Sequence, residues 1–586
     1  MINYRNTIAC LCLINFPMNI TKNCKKTWIP FEISQFEQDF LKKIAPEIEG
    51  ERFEIPLPDL CPDERTKSRT IHRNEQVLYK NVSAFSGKPL ISLYRPNTEW
   101  KIVTREEWFS DDWNPLEYGQ SPDFSQPFFR QFQSIQKQIP RAATVTLNNE
   151  NSEYTTWTGF CKNCYLINSS EYCEDCYYGK LLQSSKNIID SSFIYNSEYL
   201  FQCFNCDKCF NSQYLVNCIN CNDSMYLENC IGCHDCFGCI NLKNKEYYFM
   251  NKKYSKEEYQ KKIAELHLEK REQRKLIWKK FQEFTLTQPH KYAQITKSEW
   301  CTGDFITNSK NCINCYDMSD SEDCYHVQLG VSAKSLVDCS NMYIKPEFSY
   351  QTLGTIQTYN CHFCLYVFHS RDLWYCEQCF TCNNCFGCVG LRNKEYCIFN
   401  KQYTPEAYFP AMKKIIQHMQ KTGEWGQYFP AWLSPFAYNE SVTQDYYPLT
   451  EKSALQEWYT WHEKKENEYQ WDWYTTLDID QYNERIVWFE QATKNIQDCL
   501  RSIIKCSITG KPFKIISQEL VYYIEQHISL PDVCPDERYK ARSELRNPRK
   551  LYKRQCAKTG ESLISTFSPE KPEIIYGEKA FQDLMV

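Results

Sequence analysis

The sequence predicts a mainly β fold with α elements: two short-coil, cysteine-rich β-solenoid units capped by helices, flanked at both ends by degenerate zinc-finger-like α+β modules. Three observations predict it: a twelve-residue period, a triplet register of cysteines, and two internal duplications. Residues 207 to 242 divide into DKCFNSQYLVNC, INCNDSMYLENC and IGCHDCFGCINL. Cys209, Cys221 and Cys233 then share one column, Cys218 and Cys230 a second, and Ser212, Ser224 and Cys236 a third. The thirteen cysteines from Cys161 to Cys239 all lie multiples of three residues apart. A spacing of twelve is one turn of a narrow coil whose short sides meet at Asn, Asp, Ser and Gly corners.

The elements follow in chain order. The stretch IACLCLINFPMNI has the apolar length of a signal-peptide core, but Pro17 interrupts it, and Met18 begins a segment that recurs near the C-terminus, so residues 1–17 read as an upstream extension. Residues 24 to 94 match residues 506 to 567, with LPDLCPDER answering LPDVCPDER, which makes residues 1–120 and 496–586 two copies of one finger-like module. Unit A occupies 121–254, a helical connector 255–297, unit B 298–403, and a helix with an aromatic-rich connector 404–495. The second duplication joins the units, because CHDCFGCINLKNKEYYFMNKKYS at 233 returns as CNNCFGCVGLRNKEYCIFNKQYT at 382. In unit B the eight cysteines from Cys361 to Cys397 share one register, while Cys312, Cys315, Cys324 and Cys339 share another, so one slip falls between 339 and 361. Ser255 with Glu258 forms a capping box, and Thr404 before Pro405 an N-cap with proline at the first helical position, so a helix is expected after each unit.

Composition narrows the function. A net charge of -5 over 68 basic and 73 acidic residues excludes a global field for nucleic acid. No run reaches the roughly 18 to 20 apolar residues of a membrane span, and a cytoplasmic protein with no membrane partner is expected. No nucleophile–base pair, phosphate-binding glycine loop or convergent carboxylate pair points to an enzyme. The 34 cysteines admit three readings. The first is a packed, inert thiol core, with Cys209, Cys221, Cys233, Cys218 and Cys230 in unit A and Cys364, Cys376 and Cys388 in unit B as its ladder. The second is a metal or cluster site, for which Cys230, Cys233, Cys236 and Cys239 have the spacing, although the grammar continues where no fourth ligand exists. The third is a disulfide ladder, which needs an oxidising compartment. The coil also resembles the twelve-residue cysteine solenoids of insect antifreeze proteins, but it lacks their threonine face, so ice binding is not expected.

In the terminal modules, Cys506-Ser-Ile-Thr-Gly and Cys556-Ala-Lys-Thr-Gly look like zinc knuckles whose second cysteine has become threonine. The modules read as zinc-finger-derived with eroded sites; no cofactor is certain, and zinc is the one they admit, with Cys506, Cys534 and Cys556 as degenerate ligands and Cys24 and Cys61 as a weaker set. LCPDER, the RN-x-x-x-x-LYK run, WFSDDWNPLEYG and CFGCINLKNKEYYFMNK resemble an uncharacterised cysteine-rich family abundant in Patescibacteria. The resemblance implies the architecture and a cytoplasmic bacterial origin, and supplies no catalytic residue. Members of that family often carry a cysteine where this chain has Glu537 and Thr559, and a closing cysteine pair where it has Gly577 and Ala580.

Residues 534 to 556 hold eight Lys or Arg against three acids, and Arg538, Arg542, Arg546, Arg549, Lys550 and Lys553 are concentrated enough to meet the phosphates of RNA. The competing reading pairs these arginines with acids of their own module. The expected function is a non-catalytic scaffold or interaction protein with a protein partner. RNA binding through the terminal modules and metal or thiol redox chemistry are the alternatives.

Overall fold

Each three-residue side of the coil begins with a left-handed corner. From Tyr154 to Tyr226 every third residue has a positive φ near 50°, among them Asn163, Asp175, Asn187, Asn205, Asn217 and Asp223. Asn and Asp tolerate this conformation best, and any other non-glycine residue there costs about 1–2 kcal/mol. Hydrogen bonds between coils offset that cost. In each triplet the corner N–H donates to the coil before it, as Tyr172 does to the carbonyl of Gly159 at 3.0 Å. The outward N–H donates to the coil after it, as Glu174 does to Ser185 at 3.1 Å. The middle residue points inward, and where Ser or Cys stands twelve residues earlier its side chain meets the N–H: Cys203 N–H by Ser191 Oγ at 3.0 Å, Cys209 by Ser197 Oγ at 3.0 Å, and Leu215 by Cys203 Sγ at 3.4 Å. All three donors of such a triplet are satisfied between coils, whereas Leu or Ile at that position, as Leu182 before Ile194, offers no acceptor.

The computed structural model describes residues 19–331, 334–337, 340–343, 347–356, 359–463 and 492–585. Met18 and the 17 residues before it, Cys339, and the part of the aromatic connector beyond 463 lie outside the described residues. Unit A is a stack of parallel coils running from strand Thr146–Leu147 to strand Lys252–Lys253. Its register steps by twelve through Glu150, Lys162, Glu174, Lys186, Glu198, Phe210, Asn222, His234 and Glu246. Unit B runs from Ile295–Thr296 to Lys401–Gln402 in two 7-stranded parallel sheets. Its first coil is one residue short, pairing Ile295 with Ile306, and Gly303 accommodates the defect. Its φ is +134°, and a Cβ there would lie 1.7 Å from the carbonyl oxygen of Cys315. The slip between the two cysteine registers is a single extra residue. Gln328 pairs with Ser340, but Ser340 pairs with Leu353 and Lys334 with Glu347, so the thirteenth residue falls between Tyr343 and Glu347.

The interior is a column of small and branched side chains. All thirteen cysteines of unit A are buried, in one cluster with Ile167, Leu182, Ile188, Ile194, Leu200, Leu215 and Leu227. Cys364, Cys376 and Cys388 belong to the matching core of unit B. All 31 described cysteines are free thiols.

Both units end in the same way. Asn251 folds its amide back onto Ile240, accepting from its N–H at 2.9 Å and donating to its carbonyl at 3.0 Å. Asn400 does the same to Val389 at 2.9 and 2.7 Å. Each asparagine amide stands in for the peptide of a further coil, and the asparagine itself sits in the tight turn of the antiparallel pairing that ends the unit, Phe249 with Lys252 and Ile398 with Lys401. The expected helices are there. Lys256–Ala264 starts at the Ser255 capping box and Pro405–Thr422 at Thr404. The first, with Arg271–Thr285, covers an aromatic face of unit A at Tyr226 and Phe237. The second buries Tyr408, Met412, Ile416 and Met419 against Phe363, Tyr375, Phe386 and Phe399 of unit B. Helix Phe128–Gln138, inside the range read as unit A, packs in this cluster on unit B.

The two ends of the chain share one order of elements. Hairpin Ile20–Asn23/Pro30–Ile33, helix Gln35–Ile44, helix Pro62–Thr70 and hairpin Tyr79–Val82/Pro89–Ser92 are answered by Ile504–Lys505/Pro512–Phe513, Ser517–Glu525, Pro535–Ser543 and Tyr552–Gln555/Ser562–Ser565.

Candidate functional site

The first hairpin turn of each terminal module presents a thiol to a cradle of amides. Burial would raise the Cys506 thiol, but the Thr509 hydroxyl and the amides of Cys534, Thr509 and Ile508 bring it down to about 7. Cys24 falls to about 7 in the same way, with Cys61 in place of Cys534. The partner thiols Cys61 and Cys534 are raised, by burial first and then by the neighbouring cysteine. The structure therefore brings Cys24 to Cys61 and Cys506 to Cys534, whose N–H donates to Cys506 Sγ at 3.4 Å. It does not bring Cys556 to them. That residue lies in the second hairpin with Leu563 and Ile575, its Sγ accepting from Gly577 N–H at 3.3 Å. Glu64 is held by Lys26 at 3.0 Å and Lys67 at 2.7 Å, and Ser83 bonds to Glu107. Two thiols do not make the four-donor set of structural zinc, and among the described residues no three His, Cys, Asp or Glu side chains gather to hold a metal ion.

The basic segment is turned inward. Arg538 and Arg542 are buried and share Asp190 of unit A, Arg542 at 3.1 Å, while Arg538 also reaches Glu519 at 3.3 Å. Arg546 and Arg549 share Asp317 of unit B, Arg549 at 2.7 Å, and the Arg546 guanidinium lies between the rings of Phe193 and Phe305 at 4.8 and 4.4 Å. These four arginines leave no open face to a phosphate, which corrects the expectation that they form a basic surface. Their partners also differ from the competing reading, since only Glu519 belongs to their own module. Lys550 and Lys553 are exposed.

A cleft of about 1000 Å³ lies where four parts of the chain meet. The N-terminal module contributes Gln76, Tyr79 and Arg95, and the first coils of unit A contribute Tyr154, Tyr165 and Asn168. Asn439, Glu440 and Asp445 come from the connector, and Lys511, Asp536 and Glu537 from the C-terminal module. Two carboxylates in its lining, Glu75 and Asp445, are bound by the buried Lys180 at 3.0 and 3.1 Å. Burial would lower this ammonium's pKa, but Glu75, Tyr539 and Asp445 raise it well above the usual lysine range. Glu75 in turn would be raised by burial, yet Lys180 and Arg73 hold it at about 2. Asn168 is 8% exposed, and its Oδ1 has no hydrogen-bond partner among the described residues; neither has the buried Nε2 of Gln76.

The sequence reading missed Lys180, Asp190, Asp317 and Asn168. A signal was available for Asp190, an acid beside the apolar residues of IIDSSFI, but not for Asp317, which stands among further acids in CYDMSDSEDC. No family model, curated protein or solved structure matches the chain.

Proposed function

We propose that the protein is a non-catalytic interaction scaffold, and that its partner docks in the cleft between the terminal modules, the first coils of unit A and the connector. One observation carries this reading: four distant parts of the chain converge on one cavity and leave buried polar atoms of its lining residues, Asn168 Oδ1, Gln76 Nε2 and Arg542 Nε, without hydrogen-bond partners among the described residues. A buried polar atom left unbonded costs about 1–3 kcal/mol, and a bound partner removes that cost. The terminal modules are read as duplicated, zinc-finger-derived clamps whose remaining thiols are structural. The motif resemblance favours a bacterial cytoplasmic protein.

RNA binding has less support, because the arginines that suggested it are engaged by Asp190 and Asp317. Metal or redox chemistry would have to work from the two-thiol pairs Cys24/Cys61 and Cys506/Cys534.

The test is site-specific photo-crosslinking. A benzophenone amino acid at Tyr154, on the cleft, is expected to give discrete protein adducts in extracts of the source cell. The same group at Tyr172, exposed on another face of the coil, should not give them. Adducts that are absent at Tyr154, or identical at both positions, would sink the proposal.

A further inference from the structure

The chemistry of the cleft names the class of its partner; the step rests on the cleft being the binding site. Its unit A wall is a run of tyrosines. Tyr154 and Tyr165 meet edge to face with ring centroids 5.4 Å apart, and Tyr165 meets Tyr178 at 5.9 Å. The faces of Tyr154 and Tyr165 attract cations, while that of Tyr178 already carries Arg538, 4.8 Å from its centroid. The charges opposite have the matching sign. Arg95 is engaged by Glu440 at 3.3 Å and Arg542 by Asp190. What remains without an ion pair among the described lining residues is Glu463, Asp536 and Glu537 against Lys511. An anionic ligand is disfavoured by that balance.

The unpartnered buried atoms of the lining add a second requirement, independent of charge. Asn168 Oδ1 needs a donor, Gln76 Nε2 needs an acceptor, and Arg542 Nε needs a further acceptor. A peptide segment supplies both kinds, an N–H for the first and carbonyls for the other two, whereas a simple polyamine supplies only donors. The volume, about 1000 Å³, is at the upper end for small-ligand pockets and suits a short stretch of chain. We infer that the cleft binds an extended peptide segment bearing lysine or arginine, its cationic side chains lying against the tyrosine wall and the Asp536–Glu537 rim, its backbone meeting Asn168 and Gln76.

The experiment uses the full chain and three pools of fluorescein-labelled decapeptides, lysine-rich, neutral and glutamate-rich, read by fluorescence anisotropy. The lysine-rich pool is expected to bind at least tenfold tighter than the others. Its affinity should fall about tenfold in the Asp536→Asn, Glu537→Gln double variant, and it should weaken as salt rises from 50 to 500 mM. Those two side chains lie at the surface rather than in the core, and circular dichroism checks the variant's fold. Asn168→Leu should weaken all peptides alike without changing the charge preference. Equal binding of the three pools, no binding of any, or an affinity indifferent to the double variant overturns the inference. So does spermidine binding as tightly as the lysine-rich pool, which would make the ligand a small polycation. Protein adducts at Tyr154 without a preference for basic peptides would leave the interaction role standing and remove this inference alone.

Discussion

At Cys203 the thiol donates to the carbonyl of Phe201 at 3.4 Å and accepts from the N–H of Leu215 at 3.4 Å. A cysteine in this column is a buried hydrogen-bonding group as well as a packing one. Serine fills the same role at Ser197, which bonds to the Tyr195 carbonyl at 2.7 Å and accepts from Cys209. Cys203→Ser should therefore be mild in urea unfolding. Cys203→Ala should cost about 1–3 kcal/mol, because it orphans the Leu215 amide. A valine that proved as stable as the serine would contradict this account of the column. The same scale governs acid stability. Glu75 is held at about 2 in the folded chain against an ordinary value of 4.5, so it binds fewer protons folded than unfolded. Its contribution is present above pH 4.5 and lost as pH falls toward 2, about 3 kcal/mol at most. Glu75→Gln should flatten the fall in stability measured by urea melts between pH 5 and pH 3. The triplet spacing announced the column. The bonding role is written only in the serines that share it.

The elements were legible where their signals are local. The capping box at Ser255 and the Thr404–Pro405 start gave helices at the expected places, since N-caps and first-turn prolines act within a few residues. The closing asparagines were hidden. The FMNK and IFNK segments look like ordinary turn chemistry until the last coil is built and its exposed edge must be closed. Asn400 is fully buried, and Asn400→Leu leaves both the N–H and the carbonyl of Val389 without their amide. Hydrogen exchange should then accelerate at Val389 and through Glu395–Ile398, with a stability loss of about 2–4 kcal/mol for the two orphaned groups. Unchanged protection there would mean that the coil end is closed by something else, the helix Pro405–Thr422 foremost. The one-residue slip in unit B shows the same limit from another side: the cysteine register located it between 339 and 361, and only the pairing of Lys334 with Glu347 narrows it to the stretch between Tyr343 and Glu347.

The C-terminal module meets unit A through an apolar cluster, Tyr178, Ile189 and Phe201 against Leu520, Tyr522 and Tyr523, and through charges that the sequence displayed without their partners. The period of the coil says which residues share a face, but not which face a distant module covers. Asp190 meets Arg538 and Arg542 from roughly 350 positions away, and Asp317 meets Arg546 and Arg549 across more than 200, so the basic run read as a surface. Together they fasten the C-terminal module to both solenoids. Asp190→Ala should cost about 3–5 kcal/mol, since two buried guanidinium groups lose their shared carboxylate. Limited proteolysis should then release the C-terminal module before either solenoid is cut. Simultaneous loss of the whole fold would indicate one cooperative body in place of a clamp on a scaffold.

The cysteine core is the claim on which the rest stands, and counting thiols tests it most directly. Of the 31 described cysteines, 29 are buried, and only Cys61 and Cys301 are intermediate. Alkylation of the anaerobically purified chain, read by intact mass with parallel metal analysis, should label few thiols in the native state. After denaturation it should label all 34, with no metal in stoichiometric amount. A zinc or iron–sulfur complement per chain, or a denatured mass short of 34 labels because disulfides hold the missing thiols, would contradict the account.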